Sequence, residues 1–257
     1  MKFFRETIAF RTVLLQLIHQ QITLRYRRTV FGFLWTLLNP LLNMAIIAVV
    51  FSMVMKFQIN DYAIFLFSGM IPWAVFSNSL NQSSSALIAN ESLFKKIYLP
   101  KQIFVIATVT TTLIDSFLST ICLFIIALFL GAKLTSSLLF LPISLLVLTM
   151  FTLGISLILS ILSVYFRDMQ YLIGVILQAL YFATPIIYPI TAIPEMFHEV
   201  FTCNPLYYFL EMFRKPIYNG ELPSFDNFML CISISIITLF IGVWFFNKNS
   251  SKVIFRL

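Results

Sequence analysis

The chain has 257 residues, 60% of them hydrophobic and only 11% charged, with a formal net charge of +7 and a mean hydropathy of +0.95. A soluble domain of this length carries roughly a quarter charged residues, and the long apolar blocks, such as "LFIIALFL", lack the alternation of a transmembrane barrel. Composition therefore excludes a water-soluble domain and points to an all-α integral membrane protein. The positive charge is not a nucleic-acid signature, because it lies beside apolar blocks, where Lys and Arg mark the cytoplasmic side.

Residues 1–30 open the chain with Phe3, Phe4, Ile8, Val13, Leu14, Leu17 and Ile18 on one helical face, which predicts an amphipathic helix in the membrane interface. Charge interrupts this segment throughout, so no cleavable signal peptide is expected. Arg25, Arg27 and Arg28 close it, directly against the first apolar run. Since a span needs about 20 apolar residues, six are predicted, over 33–55, 62–80, 103–130, 138–164, 171–187 and 228–246. Between the second and third lies the polar stretch "NQSSSALIANESLFKKIYLPKQ", in which 90–100 forms a short amphipathic helix. Residues 188–227, divided by Pro189, Pro194, Pro205, Pro216 and Pro223, predict two short re-entrant or interfacial helices before the last span.

An even number of spans puts both termini on one side. With that side cytoplasmic, only Lys56, Lys133, Arg214 and Lys215 remain outside among the 17 Lys and Arg residues, which is the positive-inside pattern. Cys122, Cys203 and Cys231 are scattered without metal-ligand spacing, and His19 and His198 are isolated, so no metal site is expected.

The run "RYRRTVFGFLWTLLNPLLN" resembles the start of the first span in membrane subunits of ABC-type polysaccharide exporters, the family that carries O-antigen, capsule and teichoic acid. Its matching residues are Arg25, Tyr26, Arg28, Gly32, Trp35 and Pro40. "FLFSGMIPWAVFSNSL", "ANESLFKKIYLPKQIF", "VYFRDMQYLIGVILQALYFATPIIYP" and "NPLYYFLEMFR" follow in the family's order, so the resemblance spans the chain. It implies a homodimeric permease in the bacterial inner membrane, paired with a cytoplasmic ATP-binding subunit and moving a lipid-linked polysaccharide. The chain contains no G-x-x-x-x-G-K-[ST] loop to cradle phosphates. It is therefore not expected to be an enzyme: ATP and magnesium belong to the partner, and no cofactor to this chain.

By the same resemblance, 90–100 is the coupling helix, with Glu91, Phe94, Lys95 and Tyr98 facing the ATPase. Arg167 and Asp168, in the turn "YFRDMQ", form either a second contact or a simple charged turn at the helix ends. The three arginines either receive a lipid-linked phosphate at a substrate entrance or only set orientation and hold lipid head groups. Asp115, mid-span in "TTTLIDSFLST", either lines the pore or bonds to neighbouring hydroxyls. Trp35, Trp73, Tyr181, Phe182 and Tyr188 are candidate pore rings on which sugar C–H faces stack, against a lipid-facing role for each. Pro185 and Pro189 break the fifth span and free its carbonyls, as a gate or as a mere terminus. An exporter of drugs or haem with the same broad fold is a further reading. The reading from another class is a membrane-embedded lipid-linked sugar transferase, which requires paired carboxylates or a His-Asp constellation. The acidic residues Asp61, Glu195, Glu199, Glu211, Glu221 and Asp226 form no such motif.

Overall fold

The computed structural model describes residues 2–27, 31–55, 58–94, 96–129, 135–253 and 256, and these contain helices and turns but no strand. The helices are α1 (Lys2–Ala9), α2 (Arg11–Tyr26), α3 (Trp35–Met55), α4 (Ile59–Ala89), α5 (Glu91–Phe94) and α6 (Gln102–Phe129). They continue with α7 (Leu141–Tyr165), α8 (Met169–Ala183), α9 (His198–Thr202), α10 (Pro205–Arg214) and α11 (Phe225–Val253). Among the described residues four segments are long and apolar enough to cross a membrane, Asp61–Ala89, Gln102–Ile121, Ser136–Tyr165 and Phe225–Val253, with shorter apolar helices at Leu41–Met53 and Met169–Ala183.

Several boundaries differ from expectation for physical reasons. The N-terminal segment is two helices, and it does not simply lie on the surface. Phe3, Leu17 and Ile18 are buried in a cluster with Leu87, Ile103, Phe104, Leu157 and Phe246. Polar contacts strap the same segment to α6: Gln102 Nε2 donates to Glu6 Oε2 at 3.0 Å, and Thr111 Oγ1 donates to Gln21 Oε1 at 3.0 Å. The second span does not stop at residue 80; α4 runs through "NQSSSALIA" to Ala89. Ser79, Ser83 and Ser84 are buried there, and small hydroxyl residues let helices approach closely where lipid gives no hydrophobic drive.

The fifth apolar segment, expected over 171–187, stops at Ala183, because Pro185 cannot continue the ladder. Its 15 residues reach only about 22 Å, short of a bilayer core of about 30 Å. Between the proline-rich breaks, 188–227 holds two short α-helices as expected, α9 of five residues and α10 of ten. Asn204 caps α10, accepting from Leu206 N–H at 3.0 Å, with Pro205 at the first helical position.

The closest helix pair is α7 with α11. A Cβ on Gly242 would lie 2.3 Å from the Gly154 carbonyl oxygen, and one on Gly154 would lie 2.5 Å from the backbone of Thr238. Ser235 Oγ crosses the same seam to the Val147 carbonyl at 2.9 Å. This is small-residue packing of the kind that holds membrane helices together. α4 is the inner helix, with α3, α6, α7, α8 and α10 all packed on it.

The bundle has two distinguishable ends. At the basic end Phe3 meets Phe246, Lys101 donates to the Ser250 carbonyl, and the Arg256 guanidinium sits 4.8 Å from the Tyr165 ring centre. At the opposite end Tyr62 reaches Ile187, Ser137 reaches Pro216, and Phe140 packs on Phe228.

Candidate functional site

Where α8 breaks, its last carbonyls lose their helical donors, and unmet buried carbonyls are costly. Side chains from three other segments supply the missing donors. Arg214, near the end of α10, donates through Nη2 to the carbonyls of Pro185 at 2.8 Å and Ile186 at 3.2 Å. Tyr62, in the first turn of α4, donates to the Ile187 carbonyl at 2.6 Å. Asn204 Nδ2 donates to Thr184 Oγ1 at 2.9 Å and to the Ala183 carbonyl at 3.3 Å, and Tyr188 Oη donates to the Phe182 carbonyl.

Arg214 is only 6% exposed. Its charge is balanced by Glu211, 3.6 Å away one turn earlier, and by the face of Phe65, whose ring centre is 4.0 Å from the guanidinium carbon. Gly69 makes room: a Cβ there would lie 3.0 Å from Arg214 Nη2 and 3.3 Å from the Ile186 oxygen. Pro185, Ile186 and Ile187 are buried as a result.

The expected aromatics partly converge on this joint. Trp73 is half-buried, 5.5 Å from Tyr181 between ring centres, and Tyr181 meets Phe182 edge-on at 5.4 Å. With Tyr188 and buried Pro185, these rings surround the broken end of α8. A narrow crevice beside them is lined by Pro72, Trp73, Phe76, Thr184, Leu206 and Phe209. Trp35 is elsewhere, exposed on α3 with its ring edge-on to Phe31 at 5.6 Å. Asp115 is half-buried in the middle of α6, and its backbone carbonyl accepts from Ser119 Oγ at 2.9 Å.

At the basic end, α5 is one turn long, and 96–100 are turn and extended chain instead of the helix expected over 90–100. Phe94 turns inward and packs edge-on against Phe104 at 4.8 Å. Tyr98 is 78% exposed and Ile97 51% exposed, so this apolar pair faces outward beside exposed Ser92 and Lys96. Glu91 is half-buried; Lys95 lies outside the described residues. Arg167 and Asp168 are exposed in the α7–α8 turn between exposed Phe166 and Tyr171, and the Asp168 carbonyl accepts from the Tyr171 and Leu172 N–H groups. Burial lowers the Lys101 ammonium below its ordinary value.

Of the basic cluster, Arg27 is exposed at the C-terminus of α2. Arg25 lies in α2, and Arg28 lies outside the described residues. No group of three His, Cys, Asp or Glu side chains able to hold a metal occurs among the described residues.

Sequence reasoning missed Arg214, Tyr62, Asn204 and Gly69. Arg214 had counted as an outer-loop charge, and Tyr62 as the edge of a span. A usable signal was present: Asn-Pro opening an apolar helix that carries Glu211 and Arg214 three residues apart.

The architecture is that of a multi-pass helical membrane protein, built around an inner helix and a broken span with substituted carbonyl donors. Residues 12–218 match the ABC-2 type transporter family, and the chain belongs to it; it is a transport protein rather than an enzyme. It is similar to the O-antigen export system permease protein RfbA of Myxococcus xanthus, 29% identical over 96% of each chain. A protein of the same name from Klebsiella pneumoniae is 33% identical over 92% of this chain and 91% of its own. The polysialic acid transport protein KpsM of Escherichia coli is 25% identical over 91% of this chain and 92% of its own.

Proposed function

We propose that this chain is the permease subunit of an ATP-driven exporter that moves a lipid-linked polysaccharide, O-antigen in the first instance, across the bacterial cytoplasmic membrane. The observation that carries the reading is similarity over more than nine-tenths of the chain to permeases named for O-antigen export. The lower identity to a polysialic acid transporter ranks capsule export second. In this reading α3 and α8 complete six spans, both termini are cytoplasmic, and two copies form the pore with two ATP-binding subunits that hold ATP and magnesium.

Coupling then falls to the basic end, where Ile97 and Tyr98 are exposed and Phe94 anchors the segment to α6. Rigid-body motion passes from the ATPase through such a projecting segment. Arg167 and Asp168 supply a second contact, and Arg25, Arg27 and Arg28 receive the lipid phosphate. Guanidinium groups bind phosphate oxygens in pairs, in a geometry that Lys does not reproduce.

The test is ATPase activity of the reconstituted complex, titrated with O-antigen glycolipid, capsular glycolipid and undecorated carrier lipid. Stimulation by O-antigen glycolipid is expected, at a lower half-saturating concentration than for the capsular one. Absence of stimulation by any glycolipid removes the exporter reading. Replacing Arg25, Arg27 and Arg28 by Lys keeps the charge that sets topology and is expected to raise the half-saturating concentration. An unchanged titration reduces the arginines to anchors. Tyr98→Ala is expected to leave a folded complex whose ATPase no longer responds to glycolipid. A normal response in that variant removes Tyr98 from coupling.

A further inference from the structure

Lipid-facing surfaces of a span are apolar, and the exposed faces of this bundle mostly are. α11 shows Ile236, Ile237, Phe240 and Trp244, and α3 shows Leu42, Ile46 and Met53, its two exposed amides, Asn39 and Asn43, bonding each other at 2.8 Å. α4 departs from this. Between its exposed ends, Asp61 and Ala89, the exposed residues are Asn78 and Asn81, flanked on the same face by half-buried Ser77, Gln82 and Ser85. Positions 77, 78, 81, 82 and 85 repeat at helical spacing, so they form one stripe of amides and hydroxyls.

The height of this stripe is set by packing. Phe76 stacks on Phe151 at 5.8 Å, and Phe151 lies ten residues into the 25-residue α7. Asn78 and Asn81, a further 3–8 Å or so along α4, therefore come level with the middle of α7. At that depth hydrocarbon offers no hydrogen bonds, and each bare amide facing it costs on the order of several kcal/mol. Something polar must cover the Asn78 and Asn81 amides; the Ser85 hydroxyl already donates to the Gln82 carbonyl at 3.1 Å.

The stripe carries no formal charge, so it is not built for an ion or a phosphate. Amide and hydroxyl groups, each both donor and acceptor, match sugar hydroxyls instead. A second copy of the chain is the less suitable cover. Because α3, α6, α7, α8 and α10 all pack on α4, little of its circumference is left for a helix of a second copy, whose axis would have to come within about 8–10 Å.

We propose that Asn78 and Asn81, beside Ser77, Gln82 and Ser85, line a water-filled path at mid-membrane, and that the two asparagine amides hydrogen-bond the hydroxyls of the exported glycan. This rests on the exporter reading and adds the glycan-contacting residues to it.

Single cysteines test it in the full transporter, after Cys122, Cys203 and Cys231 are replaced by Ala. Asn78→Cys and Asn81→Cys are compared with Ile237→Cys and Phe240→Cys on α11, using a charged, membrane-impermeant thiosulfonate. Because the thiolate that reacts forms only in water, the α4 cysteines should react at least about tenfold faster than the α11 pair. Lipid-linked glycan held in the resting complex should slow them several-fold, and the adducts should block export. Rates equal to those on α11 overturn the proposal. Fast labelling that glycan does not slow, in a complex whose ATPase the glycan still stimulates, overturns glycan contact while leaving the exporter reading intact. Loss of glycolipid stimulation in the unmodified complex is the failure of the exporter reading itself.

Discussion

Glycine brings backbones together at two places in this bundle, and the two are built oppositely. In the α7–α11 seam Gly242 lies against the backbone of Gly154, and Gly154 against the backbone of Thr238 and Leu239, with no side chain between them. At the joint where α8 breaks, Gly69 faces the guanidinium of Arg214 and the side chain and carbonyl of Ile186. The seam is a fixed contact between two intact hydrogen-bond ladders. The joint is an interrupted ladder whose donors come from side chains, and side chains can let go. The contrast makes α7 with α11 the fixed frame and the α8–α10 corner the adjustable joint of the bundle.

The strongest way to break this contrast is at the seam. Gly242→Ala places a Cβ 2.3 Å from a backbone oxygen, which only separation of the helices relieves. Overpacking of this kind costs about 1–3 kcal/mol and occasionally more, and here the loss is expected at or above about 3 kcal/mol. The check is the yield and thermal midpoint of purified protein in detergent. Near-normal stability means that α7 and α11 are not fixed.

Arg214→Met is expected to follow. It leaves the Pro185 and Ile186 carbonyls without their donor, at about 1–3 kcal/mol for each unmet group. Relief of the Arg214 desolvation and loss of the cation beside Glu211 act in opposite directions, so a net loss of about 2 kcal/mol is expected. Unlike Gly242→Ala, it should also raise hydrogen exchange selectively at residues 184–190. Exchange that rises uniformly across α7, α8 and α11 defeats the distinction between frame and joint.

These two regions were unequally legible in the sequence. α6, α7 and α11 follow from apolar blocks, because a span must satisfy its backbone within one helix. The extension of α4 through residue 89 was hidden, since hydropathy scores Ser79, Ser83 and Ser84 as loop-like although they serve as small packing residues. Phe94 and Tyr98 looked equivalent on a continuous helix. The helix ends at Phe94, so one ring turns inward and the other outward. Pro185 announced freed carbonyls, but their donors lie on segments far away in sequence, Tyr62 by 125 residues. Such pairings depend on tertiary placement that local patterns do not carry.

Tyr62→Phe is a milder probe of the joint. It removes the hydroxyl that meets the Ile187 carbonyl and keeps the ring stacked on Phe65 at 6.1 Å. One buried hydrogen bond contributes about 1 kcal/mol, so a loss of about that size is expected in thermal midpoint measurements. A loss as large as that of Arg214→Met would place the main support of the joint on α4 rather than α10.

The smallest effect is expected from Gly69→Ala, and its partner dependence is the sharper test. Alanine favours a helix over glycine by about 0.5–1 kcal/mol. Against this, the new methyl sits 3.0 Å from Arg214 Nη2, which that side chain relieves by moving a few tenths of an ångström, and 3.3 Å from the Ile186 carbonyl oxygen, where the backbone itself must give. The two terms nearly cancel, and the net change should stay within about 1 kcal/mol of zero. In an Arg214→Met background the guanidinium is gone and only the contacts with Ile186 remain, so the same substitution should turn less costly or stabilising. A double-mutant cycle on thermal midpoints reads this as a coupling between positions 69 and 214. If Gly69→Ala costs as much in the Arg214→Met background as beside the native arginine, the tight contact at Gly69 is backbone-limited like Gly154 against Gly242, and the joint is no more adjustable than the seam.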